Sequence, residues 1–167
     1  MKVLRNFKDD LKLGLETELE VIDYLKINWE EEANIRNTKD IYNDDYYIYD
    51  FESEGGTTWE NKTRRLRKNQ YPTTLLPVAK VRDGVNTKQY FTFNFTAAFC
   101  CIEYNKELFD TFVISDITTY RYGKVDIPKP HYLIPVNLLT DLLKVYRKDF
   151  PESPKIEETP MYPRHFL

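Results

Sequence analysis

One mixed α/β domain is the fold this sequence predicts, on three observations. Apolar residues recur at helical spacing near the start, strand signals follow one another through the middle, and a second helical stripe appears late. From about Phe7 to Ile27, Leu11, Leu15, Leu19, Ile22 and Leu25 are spaced three or four apart, which predicts an amphipathic helix. Tyr46 to Phe51 reads YYIYDF, aromatic and β-branched. Ser53-Glu54-Gly55-Gly56 is a turn-forming cluster, and Thr57 to Lys62 completes a predicted β-hairpin.

Leu75 to Val81 predicts a third strand, with Asp83-Gly84 as the next turn, and the alternating QYFTFNF of Gln89 to Phe95 predicts a fourth. Strand signals continue at Cys100 to Tyr104 and His131 to Pro135, with a short helix expected at Lys106 to Phe112. Leu138, Leu142, Val145 and Tyr146 predict a second amphipathic helix, for which Asn137 is a suitable N-cap. Four prolines after Phe150 make residues 150–167 an expected extended tail, leaving residues 1–149 as the single domain.

Composition narrows the function classes. With 167 residues and 41% hydrophobic side chains, the chain supports one proper core rather than two. Its mean hydropathy of -0.61, without an apolar run near membrane-spanning length, argues against a membrane helix. MKVLRNFKDD lacks the apolar region of a signal peptide, so an intracellular protein is expected. The only two cysteines, Cys100 and Cys101, are adjacent within an apolar run and lack partners at zinc-ligand spacing, so they read as reduced strand residues. The sequons at Asn61 and Asn94 would matter only in a secreted protein.

The net charge of -3 hides an asymmetry. Residues 1–60 carry 16 acidic and 7 basic side chains, a net of -9, whereas residues 61–167 carry 11 and 17, a net of +6. A metal site beside a phosphate-binding surface has this form.

On a helical wheel Glu18 lies inside the Leu15–Ile22 stripe, while Glu16, Glu20 and Asp23 lie on the polar side. A carboxylate pointing into a core needs a cation or a basic partner; otherwise Glu18 sits at the edge of the stripe with its charge in water. Asp50 ends YYIYDF, and Glu60 and Lys62, two apart on the next strand, share a face. Carboxylates on neighbouring strands suit Mg²⁺, which takes oxygen ligands and keeps positions for water and phosphate. Lys62 would orient the attacking water or stabilise charge growing on the phosphate. Asp44 and Asp45 are close enough in sequence to replace Asp50 as ligand.

The following run, Arg64, Arg65, Arg67 and Lys68, is a solvated surface or, beside a metal site, a set of DNA phosphate contacts. Gln70 is loosely placed to assist, and among Tyr42, Tyr46, Tyr47 and Tyr71 are candidates for stacking on bases. His131 and His165 read as structural, with no nucleophile or ligand set around them.

The order helix Glu18, then Asp50, then Glu60-x-Lys62 resembles the PD-(D/E)XK nuclease superfamily, which includes restriction endonucleases and Holliday-junction resolvases. The resemblance spans roughly Phe7 to Phe95, and GLETELEVIDYL is similar to the first helix of the resolvase-like branch. It implies a restriction-endonuclease-like core, a central mixed β-sheet flanked by helices, and a DNA-hydrolysing nuclease requiring Mg²⁺, with Mn²⁺ as a substitute. The implied catalytic residues are Asp50, Glu60, Lys62 and Glu18; the implied metal ligands are Asp50, Glu60, Glu18 and the carbonyl of Asn61. Asn61 stands where that superfamily usually has an apolar residue. A homodimer would suit an enzyme that cuts both strands. Two other readings stay open: a degenerate nuclease fold that binds nucleic acid or a protein, and a small interaction module.

Overall fold

A computed structural model describes residues 18–26, 34–121 and 123–142, and within them the chain is a mixed α/β fold with few helices. Residues 18–26 form α1. Val21, Ile22 and Leu25 are its buried face, at the spacing one helical face requires. Leu19, expected on that face, is 65% exposed. Leu11 and Leu15 lie outside the described residues.

Six strands of the described residues form the main sheet, in the order β1 (Arg36–Asn37), β2 (Phe51–Glu52), β3 (Thr58–Arg67), β5 (Gln89–Thr96), β6 (Ala98–Glu103) and β11 (Thr140–Asp141). β3 and β5 run parallel, and the other pairs are antiparallel, so the sheet is mixed. The expected hairpin is present: Phe51 pairs with Trp59 and Glu52 with Thr58, and Ser53 and Thr57 close the turn through a backbone bond of 3.0 Å. Only its second arm is long, because Tyr46 to Asp50 is bent chain rather than strand.

Between β3 and β5 the chain crosses through β4 (Thr73–Pro77) and a 3-10 turn, Val78–Lys80. β4 belongs to a second antiparallel sheet, ordered β4, β10 (Lys129–Pro135), β7 (Val113–Ile117). The predicted third strand is therefore shorter, its last residues turning at Val78 instead of extending to Val81. Short helices α2 (Thr38–Tyr42) and α3 (Lys106–Phe109) begin at Asn37 and Asn105, whose side chains accept from backbone N–H groups as N-caps do. A small hairpin of β8 (Tyr120–Arg121) and β9 (Lys124–Val125) follows β7.

Each face of the main sheet has its own core. Phe91, Phe93 and Phe95 of β5 pack with Leu76, Ile134 and Phe109 beneath the second sheet and α3. Trp59, Phe51 and Phe99 pack on the opposite side with Val21, Ile22 and Leu25 of α1. β5 is thus buried on both faces, as a strand between parallel and antiparallel neighbours commonly is.

The expected late helix does not occupy 137–142. Val136–Leu138 is a 3-10 turn after Pro135, and Thr140 and Asp141 pair with Cys101 and Cys100 as β11. Val145, Tyr146 and the proline-rich tail lie outside the described residues. Both cysteines are buried and unbridged, as expected, with thiols pushed up to about 12, principally by burial. No described helix is long and apolar enough to cross a membrane.

Candidate active site

Strand parity places Glu60 and Lys62 beside Phe91 and Phe93 on the Phe-rich face, and Trp59 on the opposite, α1 face. Glu60 is only 4% exposed. Its Oε1 receives the Lys62 ammonium at 2.5 Å and the Lys80 ammonium at 3.1 Å. Its Oε2 is buried and has no hydrogen-bond partner. Both cations converge on one oxygen, leaving the other with its lone pairs unmatched.

Asp50 precedes β2 and continues the hairpin alignment: its N–H donates to the Trp59 carbonyl at 3.0 Å. Its Oδ2 accepts from the Asn61 N–H at 2.8 Å. Burial pushes the Asp50 carboxyl up to about 7, with the charges of Glu60 and Glu18 adding to the effect, against the Asn61 N–H and Lys62. Asp50, Glu60 and Lys62 therefore form one electrostatic group, with Glu18 acting on it from α1. Asp44 and Asp45 are exposed, and Asp44 accepts from the Tyr46 N–H at 2.9 Å to close its own turn.

Glu18 is half-buried and lies 3.6 Å from the Lys39 ammonium, an ion pair between α1 and α2. It occupies the buried stripe as the wheel requires, yet has a lysine partner. Among the described residues, no three Asp, Glu, His or Cys side chains sit close enough to hold an ion together.

Asn61 turns away from Glu60. Its side-chain carbonyl accepts from Thr92 Oγ1 at 2.8 Å, and Thr92 is fully buried. This accounts for a polar residue in mid-strand, since half-buried Asn61 satisfies the buried Thr92 hydroxyl. Its backbone N–H donates to Asp50 Oδ2, and in a strand the carbonyl of the same residue faces the same neighbour.

The basic run divides. Arg64 shares the inner face with Glu60 and Lys62 and is 9% exposed. It donates to the Leu75 carbonyl and lies 5.8 Å from the Phe93 ring centroid. Burial lowers its pKa to about 10. Arg64 is therefore a core side chain, a correction to its expected place on a phosphate-binding surface. Arg65 is exposed, Arg67 is half-buried, and Lys68 pairs with Asp141 at 2.7 Å.

Two outcomes follow from this division. Arg64→Ala should cost on the order of 2 kcal/mol in urea unfolding, through lost packing and an orphaned Leu75 carbonyl. Neutralising Arg65, Arg67 and Lys68 together should instead weaken DNA binding and reduce the slope of log affinity against log salt by up to about 0.9 per lost phosphate contact. An unchanged slope would make those three an ordinary solvated surface.

Tyr42 and Tyr47 stack at 4.1 Å, Tyr49 meets Tyr47 edge-on, and Tyr46 is exposed. These rings crowd the bend leading into Asp50. Gln70 and Tyr71 fall in the turn region between β3 and β4. His131 is buried, with Nδ1 2.7 Å from the Lys129 carbonyl, in keeping with a structural role; His165 lies outside the described residues.

Sequence reasoning missed Lys80. Its signal was the stretch LLPVAKV, where one lysine interrupts an otherwise apolar run before a turn. Comparisons with known protein families, curated proteins and solved structures found no match to this chain.

Proposed function

We propose that the chain is a metal-dependent nuclease hydrolysing DNA phosphodiester bonds, with a restriction-endonuclease-like core. One observation carries the reading. The Asp50 backbone is hydrogen-bonded across the hairpin to the strand that carries the Glu60–Lys62 ion pair, and Glu60 Oε2 is buried without a hydrogen-bond partner. An unmatched buried carboxylate oxygen costs several kcal/mol unless a proton or cation satisfies it.

The donor set fits Mg²⁺, or Mn²⁺ in its place. Both are hard ions, and Mg²⁺ is commonly held by one or two carboxylates together with waters and substrate phosphate oxygens. Asp50 and Glu60 would hold it; Glu18 contributes negative potential from its place beside Lys39. When bound, the ion supplies Lewis-acid activation of water and neutralises phosphate charge. The protein's own groups do the rest. Asn61 N–H fixes one oxygen of Asp50, and the lysines fix one oxygen of Glu60. The Lys62 ammonium, partly open to solvent, is the preorganised positive charge for the phosphate as negative charge builds on it.

A second reading, a degenerate nuclease fold that binds nucleic acid or protein without cutting, is favoured by the absence of a third close ligand among the described residues. Purified protein incubated with supercoiled, linear, single-stranded and four-way-junction DNA tests the choice. Cleavage of at least one substrate in Mg²⁺ or Mn²⁺ and none in EDTA is expected. Activity surviving EDTA overturns the metal mechanism, and binding without cleavage favours the second reading.

A further inference from the structure

Lys80 adds a contact from outside the hairpin to a site whose two strands the hairpin already aligns. Its ammonium lies 3.1 Å from Glu60 Oε1 and donates to the Ile48 carbonyl at 2.8 Å. Ile48 stands two residues before Asp50, in chain that is bent rather than paired in a sheet. One side chain, from the 3-10 turn after β4, thus contacts both the central-strand carboxylate and the segment that delivers the aspartate.

Resting on the nuclease reading above, we infer that Lys80 is a positioning residue for the divalent cation, anchoring Glu60 Oε1 to the segment before Asp50 and so directing Glu60 Oε2 toward the ion. The terminal torsion of a glutamate is broad and roughly two-fold, so an unanchored carboxylate exchanges its oxygens. Two ammoniums on Oε1 remove that exchange. Lys62 comes from the same strand as Glu60 and cannot relate it to another element. Lys80 comes from a separate segment and does. Glu60 Oε2, buried and without a hydrogen-bond partner, is the oxygen left to a cation.

The sign of the effect separates positioning from simple charge. An ammonium that acted only as a like charge beside the ion would weaken cation binding, so its removal would tighten it. A group that orients a ligand has the opposite effect, and loss of such outer contacts commonly weakens metal affinity by about 10- to 100-fold.

Calorimetric titration of the full chain with Mn²⁺, without DNA, reads this directly. Lys80→Met should bind Mn²⁺ about tenfold more weakly than the parent, or worse. Lys80→Arg, which keeps the charge and can still bridge Ile48 and Glu60, should recover most of the affinity. Thermal unfolding without metal checks that each variant is folded. If Lys80→Met melts below the assay temperature, Lys80→Gln, which keeps a donor for Ile48 and loses the charge, takes its place with the same expected weakening. Affinity equal to or tighter than the parent's in the folded neutral variant overturns the inference while leaving the metal reading intact. A parent that binds no Mn²⁺ overturns both.

Discussion

Lys62→Ala is expected to slow single-turnover DNA cleavage by a factor on the order of 10² to 10³, the loss typical of one preorganised charge at a transition state. Mn²⁺ and DNA affinity should change little. The reason lies in the sharing of Glu60. Lys62 and Lys80 both bind Oε1, so removal of Lys62 leaves Lys80 holding the carboxylate in place. What disappears is one of the two ammoniums on Glu60 Oε1, the one carried by β3 itself. Rapid-quench cleavage measured beside Mn²⁺ calorimetry separates the two effects. A variant that cuts as fast as the parent would take the central residue out of the mechanism and favour a fold that only binds.

Asp50→Asn is expected to do two opposite things. Metal affinity should fall by at least about tenfold, because a charged ligand is lost, and cleavage should fall with it at limiting Mg²⁺. Stability without metal should rise at pH 8. The Asp50 carboxyl has its pKa raised from 3.8 to about 7, by burial first and then by Glu60 and Glu18. The folded protein therefore keeps a proton that the unfolded chain releases, and stability declines as pH rises between about 4 and 7. Asparagine carries no such charge, and its carbonyl can still accept from Asn61 N–H. Urea unfolding should show the variant more stable than the parent at pH 8 by up to about 4 kcal/mol, with the difference gone near pH 4. A variant less stable than the parent at pH 8 would show that the ionised Asp50 stabilises the fold rather than straining it.

The legible part of the site was the part set by local geometry. Alternation along β3 puts Glu60 and Lys62 on one face, and the turn at Ser53–Gly56 aligns Asp50 with them. The same alternation points Arg64 inward, and its charge alone suggested otherwise. Lys80 was not legible, because its contacts with Glu60 and Ile48 arise only when the crossover folds back.

The fold shows a similar limit. YYIYDF has strand composition, but Tyr47 stacks on Tyr42 and meets Tyr49 edge-on, and of that stretch only Phe51 pairs as strand. At Asn137 a helical stripe is present in the sequence, yet the open edge of β6 captures Thr140 and Asp141. β7 escaped notice because Val113 and Ile114 are both exposed, so the strand lacks the inside–outside alternation that periodicity detects.

Anomalous diffraction from a crystal grown with Mn²⁺ tests the central claim most directly. The account predicts a manganese peak at the Asp50 and Glu60 carboxylates, weaker in Asp50→Asn at the same Mn²⁺ concentration. Manganese bound elsewhere, or no peak at this pair under conditions in which the protein cuts DNA, would contradict it.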